Sequence, residues 1–234
     1  MIDALWHEHD DMDALADAVA DAVGAIVEGA VAARGAAVIA LPGGTTPRPG
    51  FARLAEAPLP WDRVTIFPTD ERLVEAGDRR GNFAMIEGGF AATGARVVRL
   101  AHVGADYHAA GRAADARLQA LQWPPDLVWL GMGGDGHTAS IFPGPDLENA
   151  LAAPASCRAI GVLPDPLPPE APVARVTLSR AAILAARAIL VTITGEAKRT
   201  VLKRALADGS RSQFPIGRVL AGAAPPIAIH WCPA

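Results

Sequence analysis

The chain has 234 residues, 51% of them hydrophobic and 20% charged, and a formal charge of −4 at pH 7. These values argue against disorder, and the mild acidity without a basic block argues against nucleic-acid binding through an electrostatic footprint. With two cysteines, no CxxC pair and no apolar run near the ~18 residues of a membrane span, the expectation is a reduced, cytoplasmic chain without structural zinc or a membrane partner.

The first residues, MIDALWHEHDDMDALADAV, are acidic and lack the basic-then-apolar pattern of a secretory signal. His7 and His9 flank Glu8, but at an unanchored terminus they read as solvated. Asp11 to Arg34 carries Leu15, Val19, Val23, Ile26 and Val27 on a helical period, with aspartates at its start and Gly35 at its end. Ala36 to Leu41 is a continuous apolar run, as in a parallel strand buried on both faces. It opens into Pro42-Gly43-Gly44-Thr45-Thr46-Pro47, where glycines let backbone amides approach a ligand and Thr46-Pro47 reads as an N-cap with proline at N1. Such a junction cradles a phosphate, although an ordinary glycine turn reads equally well from this segment alone.

Arg63 to Phe67 is a second strand, running into Thr69-Asp70-Glu71-Arg72, and a polar stretch with Arg79, Arg80 and Asn82 follows. Arg96 to Leu100 is a third strand, and Tyr107 to Gln122 has helical spacing, stopped by Trp123-Pro124-Pro125. The apolar run Asp126 to Met132 leads into Gly133-Gly134-Asp135-Gly136-His137, then a helix-compatible segment with Thr138 and Ser140. Arg158 to Leu163 is a candidate strand, and residues 164–172 hold five prolines, a loop that cannot pair as a strand. Ala174 to Leu178 is extended, Ser179 to Arg187 a short helix, and Ala188 to Thr194 a buried strand ending in Gly195-Glu196-Ala197-Lys198. Helix Ala197 to Ala207 and strand Ile227 to Cys232 complete the chain.

This alternation predicts a mostly parallel α/β sheet in one domain, residues 1–234. Right-handed crossovers put the loops GGTT, TDER, GGDGH and GEAK on one edge, where open α/β sheets bind ligands.

Gly131 to Gly136 formally satisfies the dinucleotide fingerprint G-x-G-x-x-G. It lies past the middle of the chain, lacks an acidic partner for a ribose about 20 residues on, and places Asp135 where it would repel a pyrophosphate. Asp135 and His137 are competent metal ligands, but a third and fourth with defined spacing are missing. No Gly-x-Ser-x-Gly elbow exists, and Ser140 has no base at a fixed offset. His137 is best read as a general base or acid, since a histidine titrates at about 6.5 and takes a proton from water near neutrality. Asp135, two residues away, is placed to bracket a substrate with it.

Four segments together, LPGGTTP, TDER with GDRRGNFAMI, LGMGGDGHTASIFPG, and RVTLS with GEAKRTVLKRAL, resemble 6-phosphogluconolactonases, in a superfamily shared with glucosamine-6-phosphate isomerase/deaminase. The resemblance spans residues 41 to about 206; its GMGGDGHTAS block is highly specific and its GGTTP block supportive. It implies a Rossmann-like α/β/α sandwich and hydrolysis of 6-phospho-D-glucono-1,5-lactone to 6-phosphogluconate, a step of the pentose phosphate pathway, with a small sugar-phosphate lactone as partner and no cofactor or metal. By the same match His137 is the base that activates water. Gly44, Thr45 and Lys198 bind the phosphate, with Gly43 and Asn82 as further binding residues, and Arg72 and Arg175 hold phosphate or sugar. Asp70 is a site residue without an assigned role. The isomerase branch carries Tyr or Phe after TDE and a glutamate five residues beyond the DGH histidine; Arg72 and Phe142 stand there instead. An isomerase-like enzyme and a sugar-phosphate sensor are the alternatives. A monomer is expected, with a homodimer the other possibility.

Overall fold

A computed structural model describes residues 2–104 and 106–234. The first half runs β1 (Leu5–Glu8), α1 (Met12–Arg34), β2 (Ala37–Leu41), α2 (Arg48–Glu56), β3 (Val64–Pro68), β4 (Asp70–Arg72), α3 (Asn82–Phe90), β5 (Arg96–Val97) and α4 (Tyr107–Gln119). The second runs β6 (Leu127–Gly131), α5 (Leu147–Ala152), β7 (Ala159–Val162), β8 (Arg175–Leu178), α6 (Arg180–Ala185), β9 (Ile189–Thr194), α7 (Glu196–Asp208), α8 (Pro215–Leu220) and β10 (Ile227–Cys232).

Seven strands form one all-parallel sheet in the order β1-β10-β9-β6-β2-β3-β5. Strands β2 and β6 are neighbours with connections leaving in opposite directions, so the topological switch point lies between them. The four loops expected on one edge follow β9, β6, β2 and β3, which are consecutive in the sheet. Their convergence is thus a consequence of strand order.

Local chemistry places these strands. Helix α1 buries Leu15, Val19, Val23, Val27 and Ala30 against the sheet; the Asp11 side chain accepts from the Ala14 N–H at 2.8 Å, and Gly35 closes the helix at φ 78°. The buried carboxylate of Asp126 accepts from the Val38 N–H at 2.8 Å and from Arg34 at 2.6 Å, pinning the start of β6 to β2. Trp129, fully buried, donates its Nε1–H to Thr192 Oγ1 at 3.0 Å, which ties β6 to β9 just below the loops. Two core clusters, one on each face, cover the sheet and make it continuous with its helices.

Several expectations need correction. Asp70–Arg72 is not a loop but the first strand of a three-stranded antiparallel sheet, β4-β8-β7, which the alternation pattern did not reveal. No helix follows His137: Thr138 pairs with Ile141 across a tight turn, and α5 begins only at Leu147. Thr46 is not an N-cap; α2 starts at Arg48 with Pro47 at its cap and no side-chain capping bond. Of the expected third strand only Arg96–Val97 pairs, at the sheet edge against β3. His7 and His9 are not solvated at a loose terminus: Leu5–Glu8 is a parallel strand on β10, and His9 Nε2 lies 3.0 Å from His230 Nδ1. No helix among the described residues is long and apolar enough to cross a membrane.

Candidate active site

A polar cavity of about 220 Å³ opens at the switch point. Gly43, Gly44 and Thr45 reach it from β2, Asp70 and Arg72 from β4, Asn82 from the start of α3, His137 from the turn after β6, Arg175 from β8 and Lys198 from the first turn of α7. Nine of the ten residues singled out from sequence therefore line one cavity. The tenth, Asp135, does not bracket the cavity from the other side. It lies behind the imidazole, with Oδ1 2.6 Å from His137 Nδ1 and 3.1 Å from the His137 N–H. Burial alone would raise the Asp135 carboxyl, but the bond to the His137 ring, its electrostatic pull and backbone N–H groups outweigh this and hold it below its ordinary value. With Nδ1 engaged by Asp135, Nε2 is the ring nitrogen of His137 left for another partner.

The cationic side of the cavity is built from strands. Arg175 is only 2% exposed, and its Nη2 donates to the Ala171 carbonyl at 3.2 Å. Its nearest carboxylate is Glu170 at 3.9 Å, and its Nε has no partner. Burial pulls this guanidinium below its usual range, with Asp70 opposing, yet an arginine at neutral pH stays charged. Arg72 donates Nη1–H groups to Asn82 Oδ1 at 2.7 Å and to the Arg80 carbonyl at 2.8 Å, and its buried Nε is likewise unpartnered. Lys198 is half-buried, and among the described residues no carboxylate side chain lies within ion-pair distance of it; burial lowers it, and Asp135 partly offsets this. Among the described residues, the N–H groups of Gly43, Gly44, Thr45 and Thr46 donate to no backbone acceptor. Buried polar groups are ordinarily satisfied, so the buried, unpartnered Nε atoms of Arg72 and Arg175 at one cavity, with open loop N–H groups beside them, mark a site for an anionic ligand.

The sequence of residues 10–229 matches the family described as glucosamine-6-phosphate isomerases/6-phosphogluconolactonase. A 6-phosphogluconolactonase of Mesorhizobium japonicum is 42% identical, the match covering 97% of this chain and 95% of that protein. One from Rhizobium meliloti is 37% identical over 98% and 99%. The crystal structure of a 6-phosphogluconolactonase from Shewanella baltica superposes with a TM-score of 0.91 at 32% identity, covering 98% of each chain. The chain belongs to the glucosamine-6-phosphate isomerase/6-phosphogluconolactonase family. Its relatives at these identities place it with the hydrolases of that family.

Several site residues escaped the sequence reading. Ser140, dismissed as a nucleophile, is buried and donates its hydroxyl to Asp70 Oδ2 at 2.6 Å, while Thr69 Oγ1 lies 3.2 Å from Asp70 Oδ1. Asp70 is thus held on both oxygens beside Arg175. Glu71 accepts from the N–H groups of Arg72, Asn82 and Phe83 at 2.7 to 2.8 Å. It seals the start of α3; burial raises its carboxyl despite those three bonds. Its place in TDER was visible, but only the pairing of β4 with α3 reveals its partners. Glu170 comes from the proline-rich loop, whose composition carried no signal for the site.

The absence of a helix after His137 also bears on the glycine fingerprint. A pyrophosphate site needs helix N–H groups and their dipole directly behind the glycines. Here a turn stands in that place.

Proposed function

We propose that this chain hydrolyses 6-phospho-D-glucono-1,5-lactone to 6-phosphogluconate, with His137 as the general base. The observation that carries the reading is the Asp135–His137 pair, 2.6 Å apart, opening on a small cavity whose other wall is cationic. Asp135 bonded to Nδ1 fixes the ring tautomer and leaves Nε2 to take a proton from water. The water oxygen then forms a bond to the lactone C1. As the tetrahedral intermediate collapses, the bond from C1 to the ring oxygen breaks, and the proton on His137 passes to that oxygen as it becomes a hydroxyl. One water is consumed and the base is restored.

The 6-phosphate supplies binding energy remote from C1, which orients the carbonyl toward the base. The unpartnered N–H groups of residues 43–45 and the Lys198 ammonium near the α7 N-terminus suit a phosphate dianion. Arg72 and Arg175 suit the remaining oxygens of phosphate or sugar, with Asn82 bracing Arg72. Asp70, tied to Ser140 and Thr69, supplies a nearby negative charge that partly offsets the burial of the Arg175 guanidinium.

His137→Ala tests the assignment. It is expected to abolish lactone hydrolysis while 6-phosphogluconate still binds, and a chelator is expected to leave wild-type turnover unchanged. Near wild-type turnover in the variant removes His137 as the base. Deamination of glucosamine 6-phosphate without lactone hydrolysis would move the chain to the isomerase branch.

A further inference from the structure

The His137 ring is held on three sides. Nδ1 meets Asp135, the Gly133 backbone leaves no space for a β-carbon against Cε1, and Phe142 stacks on its face with ring centroids 4.0 Å apart and planes 24° from parallel. The same Phe142 ring carries Arg175, whose guanidinium carbon lies 4.9 Å from its centroid. One aromatic side chain therefore touches both the imidazole and a buried guanidinium of the same cavity. Its own place is fixed by the turn after His137, where the Ile141 N–H donates to the Thr138 carbonyl at 2.9 Å and Ile141 is buried in the core.

We propose that Phe142 is a positioning residue for lactone hydrolysis: its π face fixes the orientation of His137 and stabilises the imidazolium that forms when the base takes a proton. The proposal rests on the lactonase reading given above. An aromatic face is electron-rich and attracts cations. Against a neutral imidazole such a contact is simple stacking. When the proton of water arrives at Nε2 the ring becomes a cation, and the same contact strengthens. An interaction that is stronger in the transition state raises turnover rather than substrate affinity. Arg175 works in the opposite sense, since a fixed cation disfavours a second one forming nearby. By accepting both charges on its π system, Phe142 lets a substrate-binding arginine and a protonated base share one small cavity.

The test needs a change of electrostatics without a change of shape. Phe142 is replaced by 4-fluoro-, difluoro- and pentafluorophenylalanine, which withdraw and finally reverse the charge on the ring face. Phe142→Leu and Phe142→Tyr are measured beside them. The expected result is a kcat for the phosphorylated lactone that falls with each step of fluorination, to about three- to fivefold below wild type, with KM changed by less than about twofold. Phe142→Leu is expected to lose about 30-fold in kcat, because it also frees the ring to turn. Phe142→Tyr is expected to restore most of it. A kcat that is flat across the fluorinated series, or a change in KM alone, overturns the proposal. Wild type and His137→Ala are run alongside. If wild type hydrolyses the lactone, His137→Ala does not, and the series is flat, Phe142 loses its role and the lactonase reading stands. If wild type does not hydrolyse the lactone, the reading fails and the proposal fails with it.

Discussion

Gly133 and His137 are fitted to one another: a β-carbon built on Gly133 would lie 2.2 Å from His137 Cε1 and 2.3 Å from its Nδ1. The collision is with a side-chain ring, not with backbone, so the ring gives way before the fold does. Gly133→Ala is therefore expected to keep its melting temperature within a few degrees of wild type and to lose about 100-fold in kcat, the usual cost of misplacing a reacting group by about an ångström. Unchanged turnover in a well-folded Gly133→Ala protein would mean that the His137 orientation does not matter to the reaction.

Lys198 is the cavity's one lysine, and its contribution is separable from that of the arginines by substrate choice. Lys198→Ala is expected to raise KM for the phosphorylated lactone by about 10- to 100-fold, the scale of a lost charge-assisted contact. Unphosphorylated gluconolactone is expected to be almost unaffected. Equal effects on the two substrates would take Lys198 out of the phosphate site.

Glu71 connects fold to site without touching the cavity. Its two carboxylate oxygens accept three backbone N–H groups, and a glutamine keeps only one acceptor oxygen while adding donors that face donors. Glu71→Gln is expected to destabilise the protein by about 2 kcal/mol. It is also expected to raise KM, because Asn82 and with it Arg72 lose their anchor at the start of α3. Chemical denaturation and steady-state kinetics on one preparation check both effects; a stability loss with unaltered KM would confine Glu71 to folding.

The legible parts of this molecule were those set by local pattern. The continuous apolar runs of β2, β6 and β9 announce parallel strands, and the Asp and Gly ends of α1 are written in its caps. The glycine-rich loop after β6 marks the site because few other arrangements call for glycines, an aspartate and a histidine at a strand end. What stayed hidden depends on contacts distant in the chain. Strand β4 is three residues long, too short for a period, and exists only because Arg175–Leu178 lies beside it. Ser140 binds a carboxylate 70 positions away. Strand β1 reads as an acidic terminus until β10, at the far end of the chain, receives it.

That hidden strand carries a pH dependence. His230 is 3% exposed, its Nε2 has no partner, and its Nδ1 meets His9 Nε2 at 3.0 Å while the His7 ring stacks on it at 4.6 Å. Burial first, then the charges of His7 and His9, push its pKa down to about 4. His9 is lowered in the same direction, by burial and by His7, with Asp10 opposing. An unfolded histidine takes up its proton near pH 6.5, whereas folded His230 resists until about 4. Between these values the unfolded chain binds more protons than the folded one, so stability falls as the pH falls through that window and is fully present above it. The full shift corresponds to at most about 3 kcal/mol. His230→Asn retains a polar partner for His9 but cannot titrate. Melting temperatures measured from pH 7 to pH 4.5 are expected to decline more steeply for wild type than for the variant. Parallel curves would place the acid sensitivity of the fold outside the contact between β1 and β10.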